Sequence, residues 1–155
     1  MANQRLSARY ANSILQLATE GNILKDIFSD MQLIDESITG SKDLQLMLNS
    51  PIINAEDKSS VLSKVFGGKV KDLTSKFLNL LVSKGREKFL QEICNTFIAS
   101  YNAMHKIADV TLVTAIPATD KIVKEVTSLL TKAGTYNEVS IKQEVDSSII
   151  GGFIL

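Results

Sequence analysis

Apolar and polar residues alternate with a helical period through the first 104 residues of the chain. In each of six segments, hydrophobic side chains recur every three or four positions, which places them on one face of a helix. The predicted helices cover residues 5–19, 23–38, 42–48, 55–66, 71–83 and 89–104. The loops between them are short, so neighbouring helices are expected to run antiparallel. The pattern therefore predicts a six-helix bundle with one short member.

Residues that start and stop helices flank these segments. Ser41 and Asn54 precede two of them and are predicted N-caps, because a side-chain oxygen there accepts a hydrogen bond from an N–H of the first turn. Gly21, Gly67 and Gly85 follow three others and are predicted to end them.

The period changes at Ile107. Residues 107–116 are dense in β-branched side chains and predict a strand that follows the sixth helix almost directly. A one-sided helix at 120–133 and two strands, at 139–146 and 149–155, are predicted after it. The fold class is mainly α: a six-helix bundle over 1–104, followed by a small α/β domain over 105–155. The chain stops on an apolar strand, so we expect the natural chain to continue past Leu155.

Charge and composition limit the possible functions. The chain has 17 basic and 17 acidic side chains, and neither predicted domain carries the basic excess of a phosphate-binding surface, so no nucleic acid is expected as a partner. With one cysteine, no intrachain disulfide is possible. No stretch approaches the ~20 apolar residues of a membrane span, so no direct membrane insertion is expected.

The side chains that could support catalysis are few and scattered. His105 is the single histidine and is interpreted as a polar residue at a helix end; Cys94 lies on an apolar stripe and is expected to be buried and inert. The acidic pairs Asp35-Glu36 and Glu56-Asp57 are sequence neighbours on different helix faces and are expected at the solvated surface. We therefore predict no catalytic site, no cofactor and no metal, and a protein that is not an enzyme.

The surface of the first and fifth helices remains as a candidate site, and the fifth helix is apolar over more of its circumference than one core needs. If these helices are neighbours, their outer faces could form a shallow groove for an amphipathic partner helix. The alternative is that all of these side chains are core. The predicted groove residues are Tyr10, Ser13, Ile14, Lys76, Phe77 and Leu80.

Several short motifs, spread over essentially the whole chain, resemble one protein family. They are Arg9-Tyr10-Ala11 with Leu17-Ala18, Leu48-x-x-Pro51 before Lys58, Phe77-Leu78-x-Leu80-Leu81 leading to Gly85-Arg86, Thr114-Ala115 at a strand end, and Val145-Asp146-x-x-Ile149-Ile150-Gly151-Gly152-Phe153-x-Leu155. The last is the most specific. Together they resemble the delta subunit of F-type ATP synthases, the relative of the mitochondrial oligomycin-sensitivity-conferring protein.

The resemblance implies a peripheral-stalk (stator) subunit that resists rotor torque during proton-driven ATP synthesis. It implies that the N-terminal domain binds the N-terminal helices of alpha subunits of the F1 sector, one of them in the predicted groove, and that the C-terminal domain binds the b subunit. It also implies a peripheral position on the cytoplasmic side of the bacterial inner membrane, or on the stromal side of the thylakoid if the chain is plastid-encoded. Two departures stand out: Ser13 lies where the family often has alanine, and the family chain continues beyond the Gly-Gly strand.

Two other functions are considered. A small helical RNA-binding module of the transcription antitermination type fits the size of the bundle but not its balanced charge. A hydrolase would need Cys94 and His105 to meet, yet they are eleven residues apart on one predicted helix, or about 16 Å along its axis.

Overall fold

A computed structural model describes residues 2–115, 119–132, 138–145 and 153–154. The helices are α1 (Ala2–Glu20), α2 (Leu24–Gly40), α3 (Lys42–Asn49), α4 (Ala55–Phe66), α5 (Asp72–Ser83), α6 (Leu90–His105) and α7 (Asp120–Lys132), with a 3-10 turn (Glu87–Phe89) before α6. The strands are β1 (Ile107–Thr114), β2 (Glu138–Val145) and β3 (Phe153–Ile154). The predicted fold class, a helical bundle followed by a small α/β part, is confirmed.

The chain divides into two compact units between Tyr101 and Asn102. The predicted domain boundary lies after Met104, and both positions are inside α6. The boundary between the two units therefore falls within the residues of α6.

Both predicted N-caps form. Ser41 Oγ accepts a hydrogen bond from the amide of Leu44 at 3.2 Å and starts α3. Asn54 Oδ1 accepts one from the amide of Asp57 at 2.8 Å and starts α4. Each bond satisfies one of the N–H groups that a helix leaves without an internal partner, which fixes where the helix begins.

Helix α5 begins without a cap from its own sequence. Its N-cap residue, Lys71, makes no side-chain capping bond. Asp30 of α2 takes that role: its Oδ2 accepts hydrogen bonds from the amide of Lys71 at 2.8 Å and from Thr74 Oγ1 at 2.6 Å. Asp30 and Thr74 are both buried, so the first turn of α5 is attached to α2 by a desolvated carboxylate.

Helix α5 ends in a glycine turn. Gly85 has φ 62°, a left-handed conformation that costs little without a Cβ. Its amide bonds to the carbonyl of Val82 at 3.0 Å, and the next amide, of Arg86, bonds back to the carbonyl of Leu81 at 2.8 Å. These two bonds form a Schellman motif, which satisfies the last carbonyls of α5 and turns the chain sharply.

The core of the first unit is mostly aliphatic, with two fully buried phenylalanine rings, and it contains a buried ion pair. Its largest fully buried side chains come from α1, α2, α4, α5 and α6: Ile14, Ile27, Met31, Ile34, Ile38, Phe66, Leu81, Leu90, Ile93 and Phe97. Near the 3-10 turn, Lys58 Nζ lies 2.6 Å from Glu87 Oε1 and donates to the carbonyl of Leu48 at 3.1 Å. This pair joins α4, the end of α3 and the 3-10 turn.

The described part of the second unit contains a three-stranded sheet in the order β2-β1-β3. Strand β1 pairs parallel with β2 over its whole length, as expected when a helix connects two strands, and antiparallel with β3. One residue, Lys106, separates α6 from β1 and has φ 53°, so the predicted direct passage from helix to strand is confirmed. The last predicted strand, 149–155, appears only as Phe153–Ile154; its other residues lie outside the described ones.

Candidate functional site

Helices α1 and α5 meet through Tyr10 and Phe77, and Arg86 adds a third side chain to the contact. The rings of Tyr10 and Phe77 pack edge to face, with centroids 6.1 Å apart and an interplanar angle of 64°. Arg86, which follows the turn after α5, places its guanidinium carbon 5.4 Å from the centre of the Tyr10 ring. Its Nη1 also donates a hydrogen bond to Tyr10 Oη. The two helices of the predicted groove are therefore in contact, as its prediction requires.

The six predicted groove residues fall into two sets. Ile14 and Phe77 are buried, so for these two the core alternative holds, because both point into the bundle. Tyr10 is half-buried, whereas Ser13, Lys76 and Leu80 are exposed. The part of the predicted site that an incoming partner can touch is therefore carried by the second set and the rim of Tyr10.

Leu80 is the exposed apolar residue of α5. It is 44% exposed, although its neighbours on the helix, Leu78, Leu81 and Val82, are buried. The sequence indicated that α5 is apolar over more of its circumference than one core needs. Leu80 is the apolar residue of α5 that the core leaves exposed. One turn earlier, Lys76 extends into solvent and pairs with Asp72 at 2.6 Å.

Leu17 of α1 is a further exposed apolar residue that the groove prediction omitted. It is 52% exposed and lies four positions after Ser13, hence on the same side of the helix. Ser13 itself bonds to the carbonyl of Arg9 at 2.8 Å, so its hydroxyl is already satisfied within α1. The clue in the sequence is the i, i+4 spacing from Ser13, but Leu17 also fits the apolar stripe of α1, so spacing alone does not separate the two faces.

The burial of Cys94 argues against a role for its thiol in catalysis. Cys94 is fully buried, with its sulfur 3.7 Å from that of Met31. Burial raises the pKa of its thiol well above the usual range, and the charge of Asp35 raises it further, so the nucleophilic thiolate is disfavoured. His105 lies in the last turn of α6, as predicted. Within the described ranges, no group of His, Cys, Asp or Glu has the arrangement of a metal site.

The expectation that Asp35 lies at the solvated surface is wrong. The residue is half-buried, and its Oδ1 is enclosed without a hydrogen-bond partner. Burial raises the pKa of this carboxyl above its ordinary value; the neighbouring Glu36 adds to the rise and the Gln91 amide opposes it. Sequence neighbours alone could not reveal this, because Gln91, which acts on the Asp35 carboxyl, is distant in the chain.

Comparisons with known proteins agree with this architecture. A sequence model described as "ATP synthase delta (OSCP) subunit" matches residues 6–155. The ATP synthase subunit delta of Chlorobaculum tepidum is 35% identical over 153 residues, covering 98% of this chain and 83% of that protein. The chloroplastic ATP synthase subunit delta of Ochrosphaera neapolitana is 32% identical, covering 99% of this chain and 86% of that protein.

A solved structure agrees as well. A chain of the Toxoplasma gondii mitochondrial ATP synthase hexamer superposes with a TM-score of 0.76 at 25% identity, covering 96% of this chain and 84% of that one. None of the helices in the described ranges combines the length and apolar character needed to cross a bilayer. These matches support neither the antitermination module nor the hydrolase considered above. The chain belongs to the ATP synthase delta (OSCP) subunit family and is a subunit of the peripheral stalk of ATP synthase.

Proposed function

We propose that this chain is a non-catalytic clamp whose α1–α5 surface holds the N-terminal helix of an alpha subunit of F1. The second unit, residues 102–155, takes the end of the b subunit, so that the chain connects the catalytic head to the stator stalk. It works peripherally at the membrane, on the cytoplasmic side in a bacterium or on the stromal side in a plastid. It makes and breaks no covalent bond, and its contribution to proton-driven synthesis is to hold the head still against rotor torque.

The observation that carries the proposal is the exposed leucine on each helix of a contacting pair. Leu17 on α1 and Leu80 on α5 project from helices that Tyr10 and Phe77 hold together. Exposed apolar side chains on two contacting helices can together form a groove for the apolar face of an amphipathic partner helix. Lys76 and its partner Asp72 lie beside Leu80 and supply a polar rim.

Each exposed apolar side chain of this surface contributes only a small part of the binding free energy. Fully burying a leucine contributes about 1.5–3 kcal/mol, so covering the exposed part of Leu80 contributes on the order of 1 kcal/mol. Much of the total offsets the entropy lost on association. Tight attachment therefore requires the apolar side chains of both helices to be covered together by one partner helix.

Helix α7 supports the assignment of the second unit to the b subunit. Val126 is buried, whereas Ile122 and Leu129 on the same helix remain exposed, and Lys121 and Lys124 are exposed beside them. An apolar strip flanked by lysines fits a partner helix that has apolar and acidic faces. Co-sedimentation of the chain with a soluble b-subunit fragment, compared between Leu129→Asp and wild type, tests this contact.

The alpha-subunit contact is tested by titrating the chain with a synthetic peptide of its cognate alpha-subunit N-terminus in a calorimeter. Leu80→Asp is expected to weaken binding by more than about tenfold, because it removes apolar area and forces a carboxylate into the interface. Leu46→Asp on α3 is the matched control, because Leu46 is also a strongly exposed helical leucine but lies outside the proposed surface. Absence of saturable binding, or equal losses in the two variants, would contradict the proposal.

A further inference from the structure

Two short motifs that lie 76 residues apart in sequence, Arg9-Tyr10-Ala11 and Gly85-Arg86, meet in the folded bundle. We propose that Arg86 is a positioning residue that latches α1 to the end of α5 and so sets the spacing of the α1–α5 surface. The inference rests on the function proposed above for that surface, and it assigns to Arg86 a role in preparing the surface rather than in touching the partner.

The backbone of Arg86 is fixed to α5 by the glycine turn. The amide of Arg86 bonds to Leu81 and that of Gly85 bonds to Val82, so both residues move with the last turn of the helix. The left-handed φ of Gly85 reverses the chain direction at this point. The side chain of Arg86 therefore starts from a defined position at the C-terminal end of α5.

From that position the guanidinium makes two different contacts with one side chain of α1. It donates a hydrogen bond to the hydroxyl of Tyr10 and lies within reach of the face of its ring. Cation–π attraction and a charge-assisted hydrogen bond act together here, and a planar guanidinium can satisfy both. Among the described residues, Arg86 forms no ion pair, so no carboxylate competes for it.

Tyr10 also contacts a buried side chain of α5. Its ring packs edge to face on Phe77, whose side chain is buried in the middle of α5. Tyr10 is thus held by Phe77 and by Arg86, two residues that both belong to α5 or its end. Loss of Arg86 leaves Tyr10 with one anchor, and α1 gains freedom to move relative to α5.

The spacing matters because one partner helix has to cover Leu17 and Leu80 at once. A pair of helices that samples several spacings holds the productive one for only part of the time. The apparent affinity for the partner is the intrinsic affinity multiplied by the fraction of time that the helices spend at the productive spacing. Arg86→Ala is therefore expected to weaken binding although the substituted side chain contacts no partner.

The test measures the spacing directly. Cysteines introduced at the exposed positions Asn12 on α1 and Lys84 at the end of α5 carry spin labels, while the fully buried Cys94 is left unlabelled. Double electron–electron resonance then compares the full chain carrying Arg86, Arg86→Ala, Arg86→Lys or Tyr10→Phe. Lys42→Ala, which removes an exposed positive charge from α3, is the matched control.

We expect a narrow distance distribution in the unsubstituted chain and in the control. Arg86→Ala should broaden or shift it and weaken alpha-peptide binding by about tenfold, in proportion to the lost population. Arg86→Lys and Tyr10→Phe should fall between, since each keeps only part of the contact. A rescue of the distribution by Arg86→Lys alone would show that charge suffices and would overturn the two-contact argument.

Three results separate the latch from the function on which it rests. An unchanged distribution in Arg86→Ala overturns the latch. A broadened distribution with unchanged peptide affinity overturns its role in binding. If the unsubstituted chain fails to bind the peptide, the proposed function falls, while the distance distributions still decide whether Arg86 holds the two helices together.

Discussion

The most demanding prediction concerns the buried ion pair between Lys58 and Glu87. Substituting Lys58 by methionine keeps most of its aliphatic stem but removes the ammonium group. Glu87 then loses its partner at 2.6 Å, and its other oxygen, Oε2, is already enclosed without a hydrogen bond. The carbonyl of Leu48 loses its donor in the same step.

The expected cost follows from the burial of the pair. The side chains of Lys58 and Glu87 are 5% and 11% exposed, so removing one partner strands a charge in a poorly solvated site. Such losses cost about 3–5 kcal/mol, a large share of the roughly 5–15 kcal/mol that stabilises an ordinary domain. The pair Lys76–Asp72 has the same 2.6 Å separation, but its side chains are 74% and 80% exposed. Breaking it is expected to cost less than about 1 kcal/mol.

The assay is urea unfolding at neutral pH, followed by far-ultraviolet circular dichroism, for Lys58→Met and for the matched control Lys76→Met. The double variant Lys58→Met/Glu87→Leu should recover most of the lost stability, because replacing both charges by apolar groups leaves no charge unpaired and only the carbonyl of Leu48 without its donor. Equal losses in the two single variants, or no recovery in the double variant, would refute the argument from burial.

Three further predictions follow from single sites. Asp35→Asn should be more stable than the parent at neutral pH, and urea titrations should show this difference vanishing near pH 4. Folding raises the pKa of Asp35, so the parent loses stability as the pH rises from about 4, the ordinary pKa, through the raised pKa. A stability difference that stays constant with pH would contradict this. Gly67→Ala should lower the melting temperature, since a Cβ there would lie 2.2 Å from the carbonyl oxygen of Ser63. Gly40→Ala has open space around its Cβ and should raise the free energy of unfolding by up to about 1 kcal/mol. Cys94 should react with a thiol reagent only as fast as the bundle opens, so its labelling rate should rise with urea; fast labelling of the folded chain would contradict its burial.

Periodicity predicted much of the fold because each helix of the bundle is amphipathic and bounded by local signals. Ser41 and Asn54 act only on the turn that follows them, so their roles could be seen in the sequence. The passage from α6 to β1 was equally local: a period of 3.6 gives way to a period of 2 within two residues. Features of this kind need no knowledge of which helices are neighbours.

What the sequence concealed depends on partners that are distant in the chain. In the sequence, Lys58 has the features of an ordinary surface lysine. Its partner Glu87 lies 29 residues later and contacts it only in the folded bundle. The candidate site was predicted in part: the pattern indicated the surface of α1 and α5 and the excess of apolar residues on α5. Only packing decides that Phe77 turns inward while Leu17 and Leu80 stay in water. Both outcomes suit a helical stripe, so periodicity alone could not separate them.

The carboxylate of Asp30 has a consequence for assembly. It closes the first turn of α5 from a position 41 residues earlier in the chain, so α5 is complete only when α2 is in place. A fragment that starts at Ala55 would have a frayed α5, and adding the complementary piece, residues 1–54, would repair it. The helix that carries Leu80 therefore has a closed first turn only when the earlier half of the bundle is in place, which makes the two halves of the bundle structurally interdependent.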